Sequence, residues 1–514
     1  MKQLKLWLSK IDTSAYIIAV IFALRIFLER IKINDTDFFW HVKTGEWVWQ
    51  HKTVPHFDVS SWLSHSEKLI WVAHEWLADV GMYLLHQIGG LTLISYTTFF
   101  LFTTLIILSI YYSKLQIRKI DYLDETGKGL LLIFISLIIT VLWNKFDTPR
   151  PQILSFVLLV TNLILLEKKK NWWSVIVAVL GINLHGGFWP LFFGVNAYYL
   201  LPQKEWKPLL VIFAATFINP NGYQTFMYPF YGLMDNTMST QIVEWLPVSL
   251  FKESSGMLLS FILLGMVLIP KKKIDLWNSL MIVVCSIQAI RGLRFILFMP
   301  LLVLPVFITF IDYERIYNWL HKSINKLPKI IVAEPKVVDE QINDEKLTTE
   351  QVVENKQSTA SLLTIVNLFG IAICLAMSVG VVTKTIKLDG NIVSQQMPIA
   401  AVKYMKAHPE TQYRLLNDYN IGGYLIYNDI ETFVDGRSDP FTTTFNGKKG
   451  VLDDYTNNIH KLVASPKQFM KKYKIKNIIY AKNSRIYPYI LDLPEKYEII
   501  YEDKDWFIAK VKGD

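Results

Sequence analysis

The chain of 514 residues is 52% hydrophobic and 14% aromatic, and its formal net charge is +9. This composition is too apolar for a soluble protein of this length. The positive charge comes with no RNA- or DNA-binding motif, which excludes a nucleic-acid-binding protein, and in a membrane protein such an excess usually sets topology.

Apolar runs along the chain predict a polytopic α-helical membrane protein. The basic start, "MKQLKLWLSK", precedes the first run, and no small-residue cleavage site follows it, which predicts a retained signal anchor. Cys285 and Cys374 lie inside apolar runs and predict no disulfide framework. Several runs are short for a full span, which favours tilted or re-entrant pairs. About eleven membrane segments are predicted, near residues 13–32, 91–112, 129–144, 152–167, 173–188, 189–201, 208–219, 256–270, 277–291, 295–311 and 361–383.

Lysine and arginine residues orient these segments. They concentrate in alternate loops, on the same side as the N-terminus, and the positive-inside rule places that side in the cytoplasm. We therefore predict an N-terminal transmembrane domain, 1–311, a charged cytoplasmic linker, 312–360, and a last span, 361–383. The first outer loop, 33–78, and the C-terminal region, 384–514, then lie outside the cell. The expected location is the plasma membrane.

The C-terminal region is polar enough to form a small α/β domain. Helices are predicted over 397–407 and 466–473, and β-rich runs at "TFVDG", "IKNIIYA", "YEIIYE" and "WFIAKV". The segment containing Gly422 and Gly423 and the one containing Asp435 and Gly436 are predicted to be structural turns.

The first outer loop opens with "INDTDFFWHVKTGEW", directly after the first apolar run. Asp35 and Asp37 would lie at the membrane edge, where carboxylates can accept a proton from a hydroxyl group or bind a hard divalent cation. Two solvated loop acids are the structural alternative. The aromatic residues predict an interfacial helix, which explains Trp40 and Trp47 without a function.

The same loop continues with "WVAHEWLADVG", where Glu75 and Asp79 are four residues apart and would share one helix face. A zinc-protease motif would need a second histidine four residues after His74, but that position is Ala78. His74 is therefore expected to form hydrogen bonds beside an acidic pair, with metal binding as the less favoured alternative. His185, in "NLHGGFW", is predicted near an outer membrane edge.

The remaining outer segments supply one more acid and three arginines. Asp147 and Arg150 occur in "NKFDTPRPQ", and Arg291 and Arg294 in "AIRGLRF". Arginine at a membrane face is costly unless it meets an anion, so lipid headgroups or a lipid-linked phosphate are the expected contacts. Helix capping by Asp147 and snorkelling of Arg150 are the structural alternatives.

The order of these features resembles the GT-C superfamily of membrane glycosyltransferases, which includes protein mannosyltransferases, aminoarabinose transferases and oligosaccharyltransferase catalytic subunits. "NDTDFFWHVKTGEWV" is similar to the oligosaccharyltransferase stretch in which an Asp precedes aromatic residues and an interfacial helix. The second acidic site of that family lies in the second outer loop, where this chain has Asp147. The resemblance implies a GT-C-like transmembrane fold with a soluble outer C-terminal domain.

A closer resemblance, over most of the chain, is to a group of bacterial polytopic membrane proteins. The sequence motifs shared within that group resemble, in this chain, "DFFWHVKTGEW", "WVAHEWL", "PRPQ", "NLHGG", "NPNG" and "GGYLIYNDIETFVDGR". The chain departs from oligosaccharyltransferases at Asp147, which stands alone where they have a paired acidic motif. It also has "NDYNIGGYL" where they carry Trp-Trp-Asp-Tyr-Gly, which argues against an Asn-sequon acceptor.

Together these features predict a glycosyltransferase. An outer-face site has no supply of nucleotide sugars, so the expected donor is a polyprenyl-phosphate-linked sugar or glycan. Asp37 is the predicted base or metal ligand and Asp35 assists it, with Glu75 and Asp147 completing the acidic shell. A divalent cation, Mg²⁺ or Mn²⁺, would bind Asp37 and Asp147.

The leaving phosphate would be held by Arg150, Arg291 and Arg294. His74, Asp79 and His185 are additional candidate residues. The expected partners are the lipid-linked donor, membrane lipids and an unidentified envelope glycan, lipid or protein acceptor, with no nucleic acid. Two alternatives stay open: a non-catalytic transporter or assembly scaffold, and a polysaccharide polymerase or ligase that shares the donor class.

Overall fold

The computed structural model describes residues 16–17, 35–121, 123, 125–143, 148–247, 274–292, 295, 299–313, 315, 393, 397–447 and 450–512. Several predictions fall outside these residues. They are the first span apart from residues 16–17, the span at 256–270, nearly all of the cytoplasmic linker, and the last span at 361–383.

Most described residues before 316 are helical. Short 3₁₀ turns connect some helices, and a π-helical turn at Met299–Val303 leads into the last helix of this region. The helices are α1 Asp37–His51, α2 Trp62–Glu67, α3 Trp76–Ile117, α4 Glu125–Trp143, α5 Gln152–Glu167, α6 Trp173–Leu184, α7 Trp189–Leu200, α8 Trp206–Ala215, α9 Tyr223–Met234, α10 Asn236–Gln241, α11 Leu276–Arg291 and α12 Leu304–Phe307.

Helix α3 has 42 residues and bends at Gly89 and Gly90, where the backbone leaves helical geometry. Gly90 has φ 61°, a left-handed conformation that glycine adopts without a Cβ clash. The bend separates residues 76–88 from the predicted span at 91–112. Within the described residues, α3 is the one helix long and apolar enough to cross a membrane.

Other apolar helices are shorter. Helices α6 and α7 have 12 residues each, about 18 Å of helix, against a hydrocarbon layer of about 30 Å. Their buried faces join α3 and α5 in one apolar core that includes Leu105, Ile110, Leu159, Val177 and Phe192. The count of about eleven spans therefore stays a prediction.

The C-terminal region forms an α/β unit around a four-stranded sheet of order β1-β2-β4-β3. β1 and β2 are parallel, and β4 is antiparallel to both β2 and β3. Its elements are α13 Ile399–Ala407, β1 Leu415–Asn417, α14 Gly422–Tyr427, α15 Thr443–Asn446, α16 Val451–Tyr455, α17 Pro466–Tyr473, β2 Asn477–Ala481, α18 Ile486–Leu491, β3 Tyr497–Glu502 and β4 Trp506–Val511.

One predicted strand in this unit is wrong, and one observed strand was not predicted. The run "TFVDG" is not a strand: Thr432 forms an isolated bridge with Ser61, and Asn417 binds the backbone of Phe433 and Val434 through its side chain. The three-residue β1 was not predicted, because it is too short to show alternation. The predicted helices near 397–407 and 466–473 and the other three strands are confirmed.

The C-terminal unit packs directly on residues 35–78, the segment predicted to be the first outer loop. The indole of Trp62 donates to the Leu415 carbonyl at 2.9 Å, and the rings of Phe39 and Tyr424 meet edge to face at 5.2 Å. A Cβ on Gly423 would collide with the carbonyl of Thr36, so α14 needs glycine there to approach the start of α1. This contact carries residues from both ends of the chain to the same place.

Candidate functional site

Asp35 and Asp37 lie at the start of α1 and meet an arginine that precedes α5. Arg150 Nη2 lies 2.9 Å from Asp35 Oδ1 and 3.0 Å from Asp37 Oδ2, and Arg150 Nε also donates to Asp35. Arg150 Nη1 donates to Glu244 Oε1 at 3.0 Å. We call Asp35, Asp37, Arg150 and Glu244 the Asp–Arg cluster. One planar guanidinium thus orients three carboxylates.

Burial sets the protonation of Asp37. It raises the pKa of this carboxyl to about 6, with Arg150 opposing the rise and the carboxylates of Asp35 and Glu244 adding to it. Burial alone would lower the pKa of Arg150, but Asp37 and Asp35 hold it well above its ordinary value. Asp37 therefore changes charge in the range useful for a general base, while Arg150 stays a cation.

A second group of polar residues lies beside the first. His41, on the same helix as Asp37, shares a 2.6 Å hydrogen bond with Asp79 through Nδ1. Glu75 lies between two imidazoles, with Oε2 3.9 Å from His41 Nδ1 and Oε1 3.3 Å from His185 Nε2. Together with His74, these residues form the His–acid cluster. Burial, helped by the nearby cation Arg150, lowers the pKa of His41 well below its ordinary value, so this imidazole is neutral.

The segment "VDGRSDP" of the C-terminal unit forms a further wall. A Cβ on Gly436 would collide with the Asp37 carboxylate, so only glycine permits this approach. Tyr419 donates to the Gly436 carbonyl at 3.3 Å and shares a 2.5 Å hydrogen bond with Ser438. Ser438 has φ 63°, a left-handed conformation that is strained for serine. The turn predicted here is therefore part of the site.

Arg437 anchors that wall. Its Nη2 lies 2.7 Å from Asp58 Oδ1 and 2.6 Å from Asp435 Oδ2, and its guanidinium stacks over Trp71 with a 4.7 Å separation from the ring centre. Burial raises the pKa of Asp58, although Arg437 opposes it. Burial also raises the pKa of Asp439 well above its usual range, although Arg437 opposes the rise.

The Asp–Arg cluster, the His–acid cluster and residues 436–439 line one cavity of about 960 Å³. Helices α5, α7 and α11 contribute apolar side chains to it, including Phe156, Leu191 and Val284. Tyr228 and Phe445 add aromatic surface, and their rings lie 5.0 Å apart. The cavity is large enough for a small-molecule substrate and has both a charged and an apolar side.

The predicted site residues divide into three groups. Arg291 is exposed and does not line the cavity; its guanidinium lies 3.5 Å from the Leu233 carbonyl. Asp147 and Arg294 lie outside the described residues. The residues that the fold brings together around the cavity are Asp35, Asp37, His74, Glu75, Asp79, Arg150 and His185. Their catalytic and phosphate-binding roles stay predictions.

The sequence interpretation missed His41, Glu244, Tyr419, Arg437 and Asp439. A signal for His41 was present, since it follows Asp37 by four residues and therefore shares its helix face. Nothing local in the sequence distinguishes Arg437 from the arginine of a surface turn, because its carboxylate Asp58 lies far away along the chain.

The predicted metal site at Asp37 and Asp147 rests on one described residue. The Asp37 and Asp35 oxygens face the Arg150 guanidinium, which occupies the place where a cation would compensate their charge. A different group offers closely spaced ligand atoms: those of His74, Glu75 and His185 all lie within 4.8 Å of one another.

Comparison with known proteins supports the fold. No family model matches the sequence, and no curated protein matches it. Among solved structures, the chain is similar to the Archaeoglobus fulgidus oligosaccharyltransferase tethered with an acceptor peptide containing the NVT sequon, with TM-score 0.50, 10% identity, and coverage of 91% of this chain and 69% of that chain. The apo form of the same enzyme gives TM-score 0.48 with the same identity and coverage.

At this identity the similarity concerns the fold alone. The GT-C-like architecture predicted from the sequence is supported at the level of a mostly helical protein with a small C-terminal sheet. The closer resemblance to a bacterial group stays a prediction.

Proposed function

We propose that this protein is a membrane glycosyltransferase that moves a sugar or glycan from a polyprenyl-phosphate-linked donor to an acceptor on the outer face of the membrane. One observation carries the proposal. A carboxylate with a pKa of about 6, Asp37, is held by Arg150 at the wall of a cavity that has both charged and apolar sides. Its GT-C-like fold supports the same reading.

In the proposed reaction, Asp37 is the general base. It accepts the proton of the acceptor hydroxyl as that oxygen bonds to the anomeric carbon of the donor sugar. The bond between that carbon and the phosphate oxygen breaks, and the phosphate leaves with the electron pair. Asp35 and Arg150 position Asp37, since Asp35 Oδ1 accepts from the Asp37 backbone N–H at 3.1 Å and both carboxylates bind the same guanidinium.

The cavity also suits the two halves of such a donor. Phe156, Leu191 and Val284 provide an apolar side for a polyprenyl chain, and Tyr228 and Phe445 offer flat surfaces for a sugar ring. Asp439 lines the cavity and can form a hydrogen bond with a sugar hydroxyl. Binding of the leaving phosphate by Arg150, which lines the cavity, is part of the proposal, and so are the sequence-based phosphate-binding roles of Arg291 and Arg294.

The test is transfer from synthetic polyprenyl-phosphate hexoses and a polyprenyl-diphosphate disaccharide, by purified protein in nanodiscs with a membrane extract as acceptor. We expect donor-dependent product from the wild type and none from Asp37→Asn. Glu46→Gln is the matched control, because Glu46 is on the same helix but pairs with Lys43 outside the cavity. Full activity of Asp37→Asn would remove this carboxylate from the mechanism.

The same assay separates the alternatives. A scaffold or transporter would leave every donor intact in wild-type protein. A polymerase or ligase that does not use the acids would give product in both the wild type and Asp37→Asn.

A further inference from the structure

We propose that His74, Glu75 and His185 bind one divalent transition-metal ion of the Zn²⁺ class. These three residues are the His–Glu–His site. The site is separate from the Asp–Arg cluster, where a guanidinium already neutralises the acids. Binding of the metal does not depend on the proposed transferase activity.

The ligand spacing fits a single ion. All three ligand atoms lie within 4.8 Å of one another, and His185 Nε2 is 3.3 Å from Glu75 Oε1. Metal–ligand bonds of about 2.1 Å at tetrahedral angles place ligand atoms about 3.4 Å apart. The His185–Glu75 edge already has this length, and the others need only small side-chain shifts.

Hydrogen bonds fix the imidazoles in the orientation that metal ligands require. His74 Nδ1 lies 3.1 Å from the Val72 carbonyl, which can only accept, so Nδ1 carries the proton and Nε2 keeps its lone pair. His185 Nδ1 shares a 3.0 Å hydrogen bond with the Ser155 hydroxyl, which leaves Nε2 facing Glu75. Metal-binding histidines are usually held by such contacts on the other ring nitrogen.

Gly186 brings the two segments together. The Gly186 N–H donates to the His74 carbonyl at 2.8 Å, and a Cβ on Gly186 would collide with Thr225. Gly187 lies against the His74 ring, but an added Cβ there would make ordinary contact at 3.6 Å, so this position does not require glycine. Gly186 therefore lets the segment after α6 approach His74 closely enough for shared ligation.

The charge around the site also favours a cation. Glu75 and Asp79 are both buried and lie beside the imidazoles of His41 and His185. Within the described part of the chain, Asp79 Oδ2 is buried and has no hydrogen-bond partner. Buried carboxylates are normally paired with cations or bound to metals, and a divalent ion would compensate this pair.

The ligand types select the metal. Mg²⁺ and Ca²⁺ prefer all-oxygen ligands, whereas two imidazoles and a carboxylate suit Zn²⁺ and neighbouring transition metals. Three protein ligands leave a coordination position open, and all three residues line the cavity. If the proposed function holds, a bound ion would act as a Lewis acid on an oxygen atom in the cavity.

The first experiment measures bound metal without any donor. Wild-type protein in nanodiscs is loaded with Zn²⁺, desalted and analysed by inductively coupled plasma mass spectrometry. We expect about one Zn²⁺ per chain, lost in His74→Ala and His185→Ala. His65→Ala is the matched control, because His65 and Glu431 form an exposed imidazole–carboxylate pair at 3.1 Å. Ser155→Ala should bind Zn²⁺ about tenfold more weakly, as expected for loss of a hydrogen bond to a metal ligand.

A second measurement needs no variant. Cu²⁺ loaded into the wild type and examined by pulsed electron paramagnetic resonance should show two coordinated imidazoles. The proposal would be overturned if the wild type bound no more Zn²⁺ per chain than His74→Ala and His185→Ala, or if Cu²⁺ were coordinated by fewer than two imidazoles. Loss of Zn²⁺ in Asp37→Asn but not in His185→Ala would also overturn it, by placing the ion at the Asp–Arg cluster. If the wild type binds Zn²⁺ at the His–Glu–His site but shows no sugar transfer, the metal site is upheld and the proposed transferase function is refuted.

Discussion

Asp37→Asn is expected to abolish transfer and, at the same time, to stabilise the folded protein above neutral pH. The pKa of Asp37 is about 6 against an ordinary value of 3.8, because burial outweighs the attraction of Arg150. The folded state thus binds this proton more tightly than the unfolded state does. The resulting stabilisation is fully present below about pH 3.8 and is lost as the pH rises through about 6.

Asparagine carries no charge, so the variant avoids that loss. The difference between the two pKa values corresponds to about 3 kcal/mol above pH 7 and to almost nothing near pH 4. The assay is thermal unfolding of wild type, Asp37→Asn and Glu46→Gln in one detergent across this pH range. We expect the Tm advantage of Asp37→Asn to grow with pH, while Glu46→Gln, which loses a surface ion pair, shows no gain.

A Tm difference that is independent of pH would refute the titration of Asp37 as its cause. A variant less stable than the wild type at about pH 8 would refute the underlying electrostatics, since it would mean that the Arg150 ion pair outweighs the cost of burying the carboxylate.

Three further predictions concern how the site is held. Arg150→Met leaves the carboxylates of the Asp–Arg cluster without their shared cation, so we expect a loss of about 3–5 kcal/mol of stability. The same preparation should show a more alkaline midpoint in the pH profile of transfer, and an unchanged midpoint would contradict the coupling of Arg150 to Asp37. Gly436→Ala should lower transfer without changing Zn²⁺ content, because its Cβ would displace the Asp37 carboxylate, and wild-type transfer would show that this wall is not part of the site. Gly45→Ala should lower Tm by several degrees in a thermal scan, because its Cβ would collide with the backbone carbonyl of Asp79 and separate α1 from α3. An unchanged Tm would mean that these two helices can move apart freely.

Local patterns in the sequence predicted the structural elements that depend on neighbouring residues. The acidic start of α1 and strands β2 to β4 follow from composition and alternation. The shared face of Glu75 and Asp79 also follows from helical spacing, although Glu75 itself lies just before α3 begins.

Convergence of distant segments could not be predicted in the same way. The pairing of Arg150 with Asp35 joins positions 115 residues apart, and no periodicity connects them. The segment around Arg437 has the composition of a turn, and its role depends on Asp58 and Asp37, which the fold brings to it. Only the tertiary arrangement distinguishes such a turn from an ordinary one.

The junction between the first outer loop and the C-terminal unit has a consequence for biosynthesis. Ser61 and Trp62 bind backbone groups of Phe433 and Leu415, which lie 372 and 353 positions further along the chain, and Gly436 closes over Asp37. The ribosome therefore synthesises the acidic side of the cavity early and its opposite wall late. A nascent chain carries an incomplete cavity until translation is nearly finished, so premature termination anywhere before residue 436 yields a protein that lacks this wall.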